Sequence, residues 1–207
     1  MTHFLIVRHG ETLWNREHRI QGQRDSALSS VGEHQAHATA ERLRGGSGAR
    51  LVSSDLGRTL QTARPIAAAT GLALETDSRL RERSFGVFEG LTRDQIEALD
   101  APAFARWQTR DPAYAMQGGE SLIDVCARVR ESLESIASQT SGSVIIVTHG
   151  GVLDAIYRLA TKLALDAPRS WQLLNSSINE IEIDGRSWRL GAWGDIAHLP
   201  AAEDDFG

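Results

Sequence analysis

The chain has 207 residues, of which 41% are hydrophobic and 24% charged, and its formal net charge is −5. This composition is typical of an ordinary globular protein and excludes disordered, fibrous and membrane-spanning classes, while the acidic balance argues against a nucleic-acid or anionic-membrane surface. The single cysteine, Cys126, excludes a disulfide framework and a cysteine-based metal site, and with no signal-peptide pattern at the N-terminus it predicts a cytoplasmic protein.

Three short apolar runs rich in Val, Ile and Leu have the composition of strands that are buried on both faces. They are HFLIVRHG from residue 3, ARLVSSD from residue 49 and SVIIVTHGG from residue 143. Three helical patterns alternate with these runs. The first covers residues 31–43, the second begins at an N-cap Asp55 and ends at Gly71, and the third follows Ser121. This alternation predicts an α/β fold, a three-layer sandwich with a central, mostly parallel sheet flanked by helices.

Two further segments complete the predicted architecture. Residues 80–120 are less regular and are expected to form a small helical cap inserted into a single domain that spans residues 1–207. Alternation around Asp184 and Gly185 indicates an antiparallel hairpin at the sheet edge. An exposed edge could pair with a second subunit, which keeps a homodimer among the alternatives.

Cationic side chains collect where the predicted strands end. Of the seven histidines, His9 and His149 each end a strand and precede a glycine, and Arg8 stands beside the first. Arg58 lies in the first turn of the helix after the second strand, where free N–H groups favour an anion. Any one of them alone is better explained as a structural residue. Together they form a self-repelling cluster that an anion must fill, and a phosphoryl group fits it.

The residues alone do not choose the carboxylate that would serve such a site. Glu82 has arginines on either side and precedes a turn, but Glu89 and Glu11 are rivals. His34 and His37 lack a third ligand and are expected to be exposed on a helix, so no metal site is predicted. The sequence contains no P-loop and no G-x-G-x-x-G motif, so no nucleotide cofactor is predicted either.

Five ordered motifs resemble the phosphoglycerate mutase-like branch of the histidine phosphatase superfamily. They are LIVRHGETLWN, SSDLGRTLQTA, LRERSFGVFEGLT, GGES and VTHGG, and they span about residues 3–155. The resemblance implies an α/β sandwich with a helical cap, in agreement with the periodicity. It also implies that a phosphohistidine forms during the reaction and that neither a metal ion nor a cofactor is needed.

The resemblance further implies roles for individual residues. His9 would be the nucleophile, Glu82 the general acid, and Arg8, Arg58 and His149 would hold the phosphate oxygens. Contacts to phosphate or substrate are implied for four other positions, namely Asn15, Gln21, Gly22 and Gly150.

The same family contains phosphatases and cofactor-dependent mutases. The mutases carry a longer segment after the glutamate motif, with adjacent arginines that grip the substrate carboxylate. This chain has only separated Arg106 and Arg110 there, and FGVFEGLT and HGG are closer to the broad-specificity phosphatases. We therefore expect a metal-independent phosphomonoesterase acting on a small cytosolic phosphate ester. The alternatives are a phosphoglycerate mutase and a non-catalytic phosphate-sensing module.

Overall fold

The chain folds around a six-stranded sheet in the computed structural model, which describes residues 1–46 and 48–200. The strands are β1 (Thr2–Arg8), β2 (Gly48–Ser53), β3 (Leu74–Thr76), β4 (Gly142–Thr148), β5 (Ile178–Asp184) and β6 (Ser187–Leu190). The helices are α1 (Leu13–Arg16), α2 (Ser30–Leu43), α3 (Gly57–Thr70), α4 (Arg93–Leu99), α5 (Ala101–Gln108), α6 (Leu122–Gln139) and α7 (Gly150–Thr161). Two 3-10 helices cover Ser78–Leu80 and Gly86–Phe88.

The strand order is β3-β2-β4-β1-β5-β6. The first four strands in this order are parallel, whereas β5 runs antiparallel to β1, and β6 runs antiparallel to β5. The predicted hairpin is therefore present at one edge. One apolar cluster joins the sheet to α2 and α3, and a second joins it to α6 and α7. The predicted three-layer α/β fold with a mostly parallel sheet is confirmed.

Helix α6 shows why the apolar periodicity was informative. Val125, Val129 and Leu133 are fully buried against the sheet, as expected of one stripe on a charged helix. Ser121 caps the helix by accepting a hydrogen bond from the Asp124 N–H, and Asp124 accepts one from Ser121 in return. Neither α6 nor any other helix in the described part of the chain is long and apolar enough to cross a membrane.

The start of α3 differs from the prediction. The N-cap is Leu56 rather than Asp55, and the Leu56 side chain makes no capping hydrogen bond. The Asp55 carboxylate instead accepts hydrogen bonds of 2.7 and 2.6 Å from the Arg81 guanidinium. Asp25, from the loop before α2, accepts a hydrogen bond of 3.2 Å from the Arg58 N–H. A distant aspartate thus satisfies this helix terminus, which local sequence cannot reveal.

The segment expected as a cap carries α4 and α5 and has its own apolar cluster. Phe88 and Ile96 are its most deeply buried members, and the Trp107 ring contacts Phe85, Phe88 and Phe104. This cluster holds the segment together above the carboxyl edge of the sheet, where β1 and β4 end.

Candidate active site

Parallel strands deliver His9 and His149 to the same place. In the pairing of β1 with β4, Arg8 lies opposite Thr148, so the residues that follow them are neighbours. The two imidazole rings meet edge to face with their centroids 5.3 Å apart. Both side chains are buried. The register of the sheet therefore brings together two histidines that are 140 positions apart in the sequence.

The tautomer of His9 follows from one hydrogen bond. Nδ1 lies 2.8 Å from the carbonyl oxygen of Gly10, which can only accept, so Nδ1 carries the proton. Nε2 is then left with a lone pair. Burial lowers the pKa of His9 well below its usual 6.5, and the positive charges of Arg58 and Arg8 lower it further. His9 is accordingly a neutral imidazole at neutral pH, with Nε2 able to attack an electrophile.

His149 is a neutral hydrogen-bond donor by a similar argument. Its Nε2 lies 2.8 Å from Ser54 Oγ, and that hydroxyl already accepts a 3.4 Å bond from the Leu56 N–H. The Ser54 hydroxyl can donate to Nε2, and in that arrangement the ring proton of His149 is on Nδ1. Nδ1 is buried without a hydrogen-bond partner among the described residues. Burial, followed by the charge of Arg58, lowers the pKa of His149 well below 6.5.

Arg8 and Arg58 supply fixed positive charge beside these rings. Each guanidinium is 1% exposed. Arg58 donates from Nη1 to the Arg24 carbonyl at 2.8 Å and from Nη2 to the Gly22 carbonyl at 2.7 Å, and Arg8 donates to the Leu173 carbonyl. These carbonyl oxygens are neutral, so these hydrogen bonds position the guanidiniums without adding negative charge. Asp25 offsets part of the Arg58 charge at 3.2 Å, but it is 41% exposed.

Glu82 is the carboxyl group that the fold brings to the site. It is 4% exposed, and its Oε2 accepts a 2.9 Å hydrogen bond from the Gly151 N–H in the first turn of α7. Its Oε1 accepts a 2.7 Å bond from the Arg83 N–H. Burial raises the pKa of Glu82, although both N–H groups and the two arginines of the site oppose the shift. A carboxyl group with a raised pKa can be protonated at the start of a reaction and act as an acid.

The rival carboxylates have structural partners instead. Glu89 Oε1 accepts bonds of 3.0 Å from the Gln23 N–H and 2.9 Å from the Phe85 N–H. Its Oε2 accepts a 3.1 Å bond from the Arg24 N–H. Glu11 accepts a 2.5 Å bond from the Ser29 hydroxyl at the start of α2. Neither Glu89 nor Glu11 lines the cavity in front of His9.

A cavity of about 1050 Å³ opens between the sheet edge and the cap. Arg8, His9, Arg58, Glu82 and Gly151 form part of its wall, and the His149 ring packs edge to face on that of His9. Asn15, Gln21 and Gly22, for which the resemblance implies contacts to phosphate or substrate, also line it. The remaining wall includes aromatic and charged side chains of the cap, of α7 and of the segment after α7, namely Phe85, Trp107, Tyr114, Arg83, Arg93, Arg110, Asp154, Arg158 and Arg169.

Comparison with known proteins decides the family. The sequence profile of the histidine phosphatase superfamily (branch 1) matches residues 4–196. The chain belongs to this superfamily. Among curated proteins it is 38% identical to a probable phosphoglycerate mutase GpmB of Yersinia enterocolitica, over 99% of each chain.

Solved structures give the same family and fold. The structure of Bacillus stearothermophilus YhfR matches with a TM-score of 0.89 and 35% identity, covering 96% of this chain and 99% of that one. A mycobacterial glucosyl-3-phosphoglycerate phosphatase in complex with VO3 matches with a TM-score of 0.82 and 37% identity, covering 93% and 98%. The predicted family, fold and enzyme class, a phosphatase of the histidine phosphatase superfamily, are confirmed.

Within this histidine phosphatase, the sequence motifs located most of the residues around the cavity but not all. Gly150 is the first residue of α7, beside the Gly151 N–H that holds Glu82. Arg110 lines the cavity, whereas Arg106 is 65% exposed and packs on the Tyr114 ring. The contributions of Ser54 and Asp25 had no sequence signal, because they depend on contacts between distant segments.

Proposed function

We propose that this phosphatase hydrolyses small phosphomonoesters through a phosphohistidine on His9, without a metal ion. The observation that carries the proposal is a neutral imidazole whose Nε2 lone pair lies beside two buried guanidiniums. Holding two guanidinium charges close together in a buried site carries an electrostatic cost, because like charges repel each other. The dianion of a phosphate ester would remove that cost and align with the forked donors of arginine.

The polar atoms of the site support a phosphoryl group as the occupant. Arg58 Nε and His149 Nδ1 are both buried without a hydrogen-bond partner among the described residues. Buried donors in folded proteins nearly always have a partner. Oxygens of a bound phosphoryl group would satisfy both donors, and the Asn15 and Gln21 side chains on the cavity wall are candidates for further contacts.

The proposed reaction has two steps. In the first, His9 Nε2 attacks phosphorus, the bond from phosphorus to the ester oxygen breaks, and Glu82 donates its proton to the departing oxygen. In the second, the Glu82 carboxylate takes a proton from water, which attacks phosphorus and breaks the phosphorus–nitrogen bond. Inorganic phosphate leaves, and both His9 and Glu82 return to their starting protonation states. Arg8 and Arg58 stabilise the charge on the transferring group throughout, a role that metal ions fill in many phosphoryl-transfer enzymes.

A phosphoglycerate mutase is the second candidate, because a relative of this length and similarity carries that name. A mutase must hold a small sugar acid and exclude water while the phosphoryl group returns to it. The cavity of about 1050 Å³ is at the upper end of the range for drug-sized ligands. The cap segment also presents Arg110 to this cavity without an adjacent arginine, and Arg106 pairs at 3.9 Å with Asp111. These features support water as the acceptor.

The test is a hydrolysis screen on the purified protein, using p-nitrophenyl phosphate and a panel of phosphorylated metabolites, with and without a chelator. We expect release of inorganic phosphate that the chelator does not change, and a fall of more than about a thousandfold for His9→Ala. A coupled assay with 3-phosphoglycerate, with and without bisphosphoglycerate, measures mutase activity. Interconversion faster than hydrolysis would favour the mutase, and phosphate binding without turnover would favour a sensing module.

A further inference from the structure

We propose that Asn175 and Thr62 are positioning residues that clamp the peptide group between His9 and Gly10 and so aim the nucleophile. The inference rests on the proposed role of His9. Asn175 lies outside the five motifs, Thr62 lies within SSDLGRTLQTA but was given no role there, and neither residue lines the cavity. Their effect on the reaction must therefore pass through the residues that they hydrogen-bond, not through contact with the substrate.

The clamp holds both ends of one peptide group. On one side, Asn175 Nδ2 donates to the His9 carbonyl oxygen at 3.1 Å, and the Ser176 N–H approaches the same oxygen at 3.3 Å. On the other side, the Gly10 N–H donates to Thr62 Oγ1 at 3.0 Å. The Thr62 hydroxyl itself donates to the Arg58 carbonyl at 2.9 Å. Asn175 is 2% exposed and Thr62 is fully buried, so water does not compete for these bonds.

The next peptide carbonyl makes this clamp relevant to catalysis. The Gly10 carbonyl accepts the Nδ1 proton of His9 at 2.8 Å, which fixes the ring and leaves the lone pair on Nε2. Because a peptide group is planar, fixing the His9 carbonyl and the Gly10 N–H fixes the direction from which the chain enters Gly10. Glycine has more backbone freedom than any other residue, so the Gly10 carbonyl needs such an external constraint.

A larger residue could not supply the constraint at this position. A Cβ on Gly10 would lie 2.5 Å from the Gly32 carbonyl oxygen of α2, which is too close for any side chain. The backbone at position 10 therefore lies so close to α2 that only glycine fits there. Asn175 from the loop before β5 and Thr62 from α3 then restrict its backbone from two other directions.

The experiment compares Asn175→Ala and Thr62→Val with the wild type. Asn179→Ala is the matched control, since Asn179 is fully buried and donates at 3.1 Å to the Ile6 carbonyl of β1, the strand that precedes His9. We expect kcat for p-nitrophenyl phosphate to fall by about 10- to 100-fold in both clamp variants. KM and inhibition by inorganic phosphate should change less than about twofold, because Arg8 and Arg58 keep their places. Thr62→Ser retains the hydroxyl and should restore kcat.

A second measurement reads the tautomer directly. The ¹⁵N resonances of the His9 ring, assigned by their loss in His9→Ala, should show a protonated Nδ1 in the wild type and averaged tautomers in Asn175→Ala and Thr62→Val. Thr62→Val is nearly isosteric and tests the same peptide should Asn175→Ala fail to fold. The control should keep both kcat per folded molecule and the His9 resonances.

Two results would overturn the clamp. One is unchanged His9 resonances in the clamp variants, and the other is a loss of kcat no greater than in Asn179→Ala at equal folded fraction. A wild-type protein that hydrolyses no phosphate ester would refute the proposed function instead. In that case the resonances alone would still decide whether Asn175 and Thr62 fix the ring.

Discussion

At the residue scale, the same two arginines meet opposite needs of the reaction. A nucleophilic imidazole must be neutral, and burial with the charges of Arg58 and Arg8 lowers the pKa of His9 well below 6.5. A transferring phosphoryl group needs positive charge nearby, and these guanidiniums supply it. Placing cations beside the nucleophile thus keeps it unprotonated and binds the group that it attacks.

Glu82→Gln tests the acid. The amide keeps the shape of the side chain but cannot donate a carboxylic proton, so kcat for alkyl phosphates should fall by about 100- to 10,000-fold. For p-nitrophenyl phosphate, whose leaving group needs little protonation, formation of the phosphoenzyme should be affected much less. Rapid-quench kinetics on both substrates measures this difference. Equal losses for the two leaving groups in that step would exclude Glu82 as the acid.

The pH dependence of kcat/KM tests the same pair of groups. Activity requires His9 neutral, which holds above its lowered pKa, and Glu82 protonated, which holds below its raised pKa. The profile should therefore rise at a pH well under 6.5 and fall at a pH above 4.5, the ordinary value for a glutamate. In Glu82→Gln the fall at high pH should disappear. A high-pH limb that persists in this variant would assign it to another group.

At the element scale, the loop between α1 and α2 is held in place from the cap. Glu89 accepts hydrogen bonds from the N–H groups of Gln23 and Arg24, and the carbonyls of Gly22 and Arg24 hold the Arg58 guanidinium. Gly22 adopts a φ of +55°, and a Cβ there would lie 2.1 Å from Glu89 Oε1. The cap therefore positions the phosphate-binding arginine through one buried carboxylate.

Glu89→Gln should disturb both stability and phosphate binding. One oxygen that accepts N–H groups becomes an NH₂ donor, so the free energy of unfolding should fall by about 2 kcal/mol. KM should rise more than kcat falls, because Arg58 loses its support. Glu75→Gln is the control, since that 44% exposed carboxylate pairs with Arg50 on the surface and should contribute less than about 1 kcal/mol. Urea unfolding and steady-state kinetics give both quantities. An unchanged KM would contradict this role.

The strands and helices were predictable because each has a local signal. The apolar runs ending in His9 and His149 located β1 and β4, and the stripe from Leu122 to Ile136 located α6. The choice among three carboxylates was not local. It depends on the Gly151 N–H of α7 meeting Glu82, and on loop N–H groups meeting Glu89. Such pairings follow from tertiary packing, so the family resemblance, and not a local pattern, singled out Glu82.

At the scale of the whole molecule, the site introduces a pH-dependent stability. His9 and His149 are neutral in the folded state, with pKa values well below 6.5, whereas both gain protons near 6.5 when unfolded. Their contribution is thus present above pH 6.5 and is lost as the pH falls toward the folded pKa values. Glu82 has a raised pKa, so its contribution has the opposite sign and is lost as the pH rises through that value.

His149→Gln isolates one of these terms. Below pH 6.5, the wild type should lose up to about 1.4 kcal/mol of unfolding free energy per pH unit more than the variant. Taking the difference cancels the contribution of Glu82. His34→Gln, at an exposed position of α2, should keep the wild-type slope. Urea unfolding at several pH values measures the slopes, and equal slopes in His149→Gln and wild type would contradict a buried neutral His149.

The sequence also predicted which residues meet, but not the shape that they enclose. Parallel strands place their carboxyl ends at one edge, so Arg8, His9 and His149 could be grouped before the structure was known. The cavity wall contributed by the cap could not be grouped in this way. Trp107 and Arg110 reach it through the packing of α5 on the cluster around Phe88, which has no periodic signature.

The central claim is that the phosphoryl group passes through His9. Mixing the enzyme with a ³²P-labelled phosphate ester and quenching in base within milliseconds should trap a phosphoenzyme that is stable in alkali and labile in acid. Mass spectrometry should locate the label on His9, and His9→Ala should show none. Two results would contradict the account. One is hydrolysis of the ester with no labelled enzyme, at a turnover that the quench is fast enough to resolve, and the other is a label on any other residue.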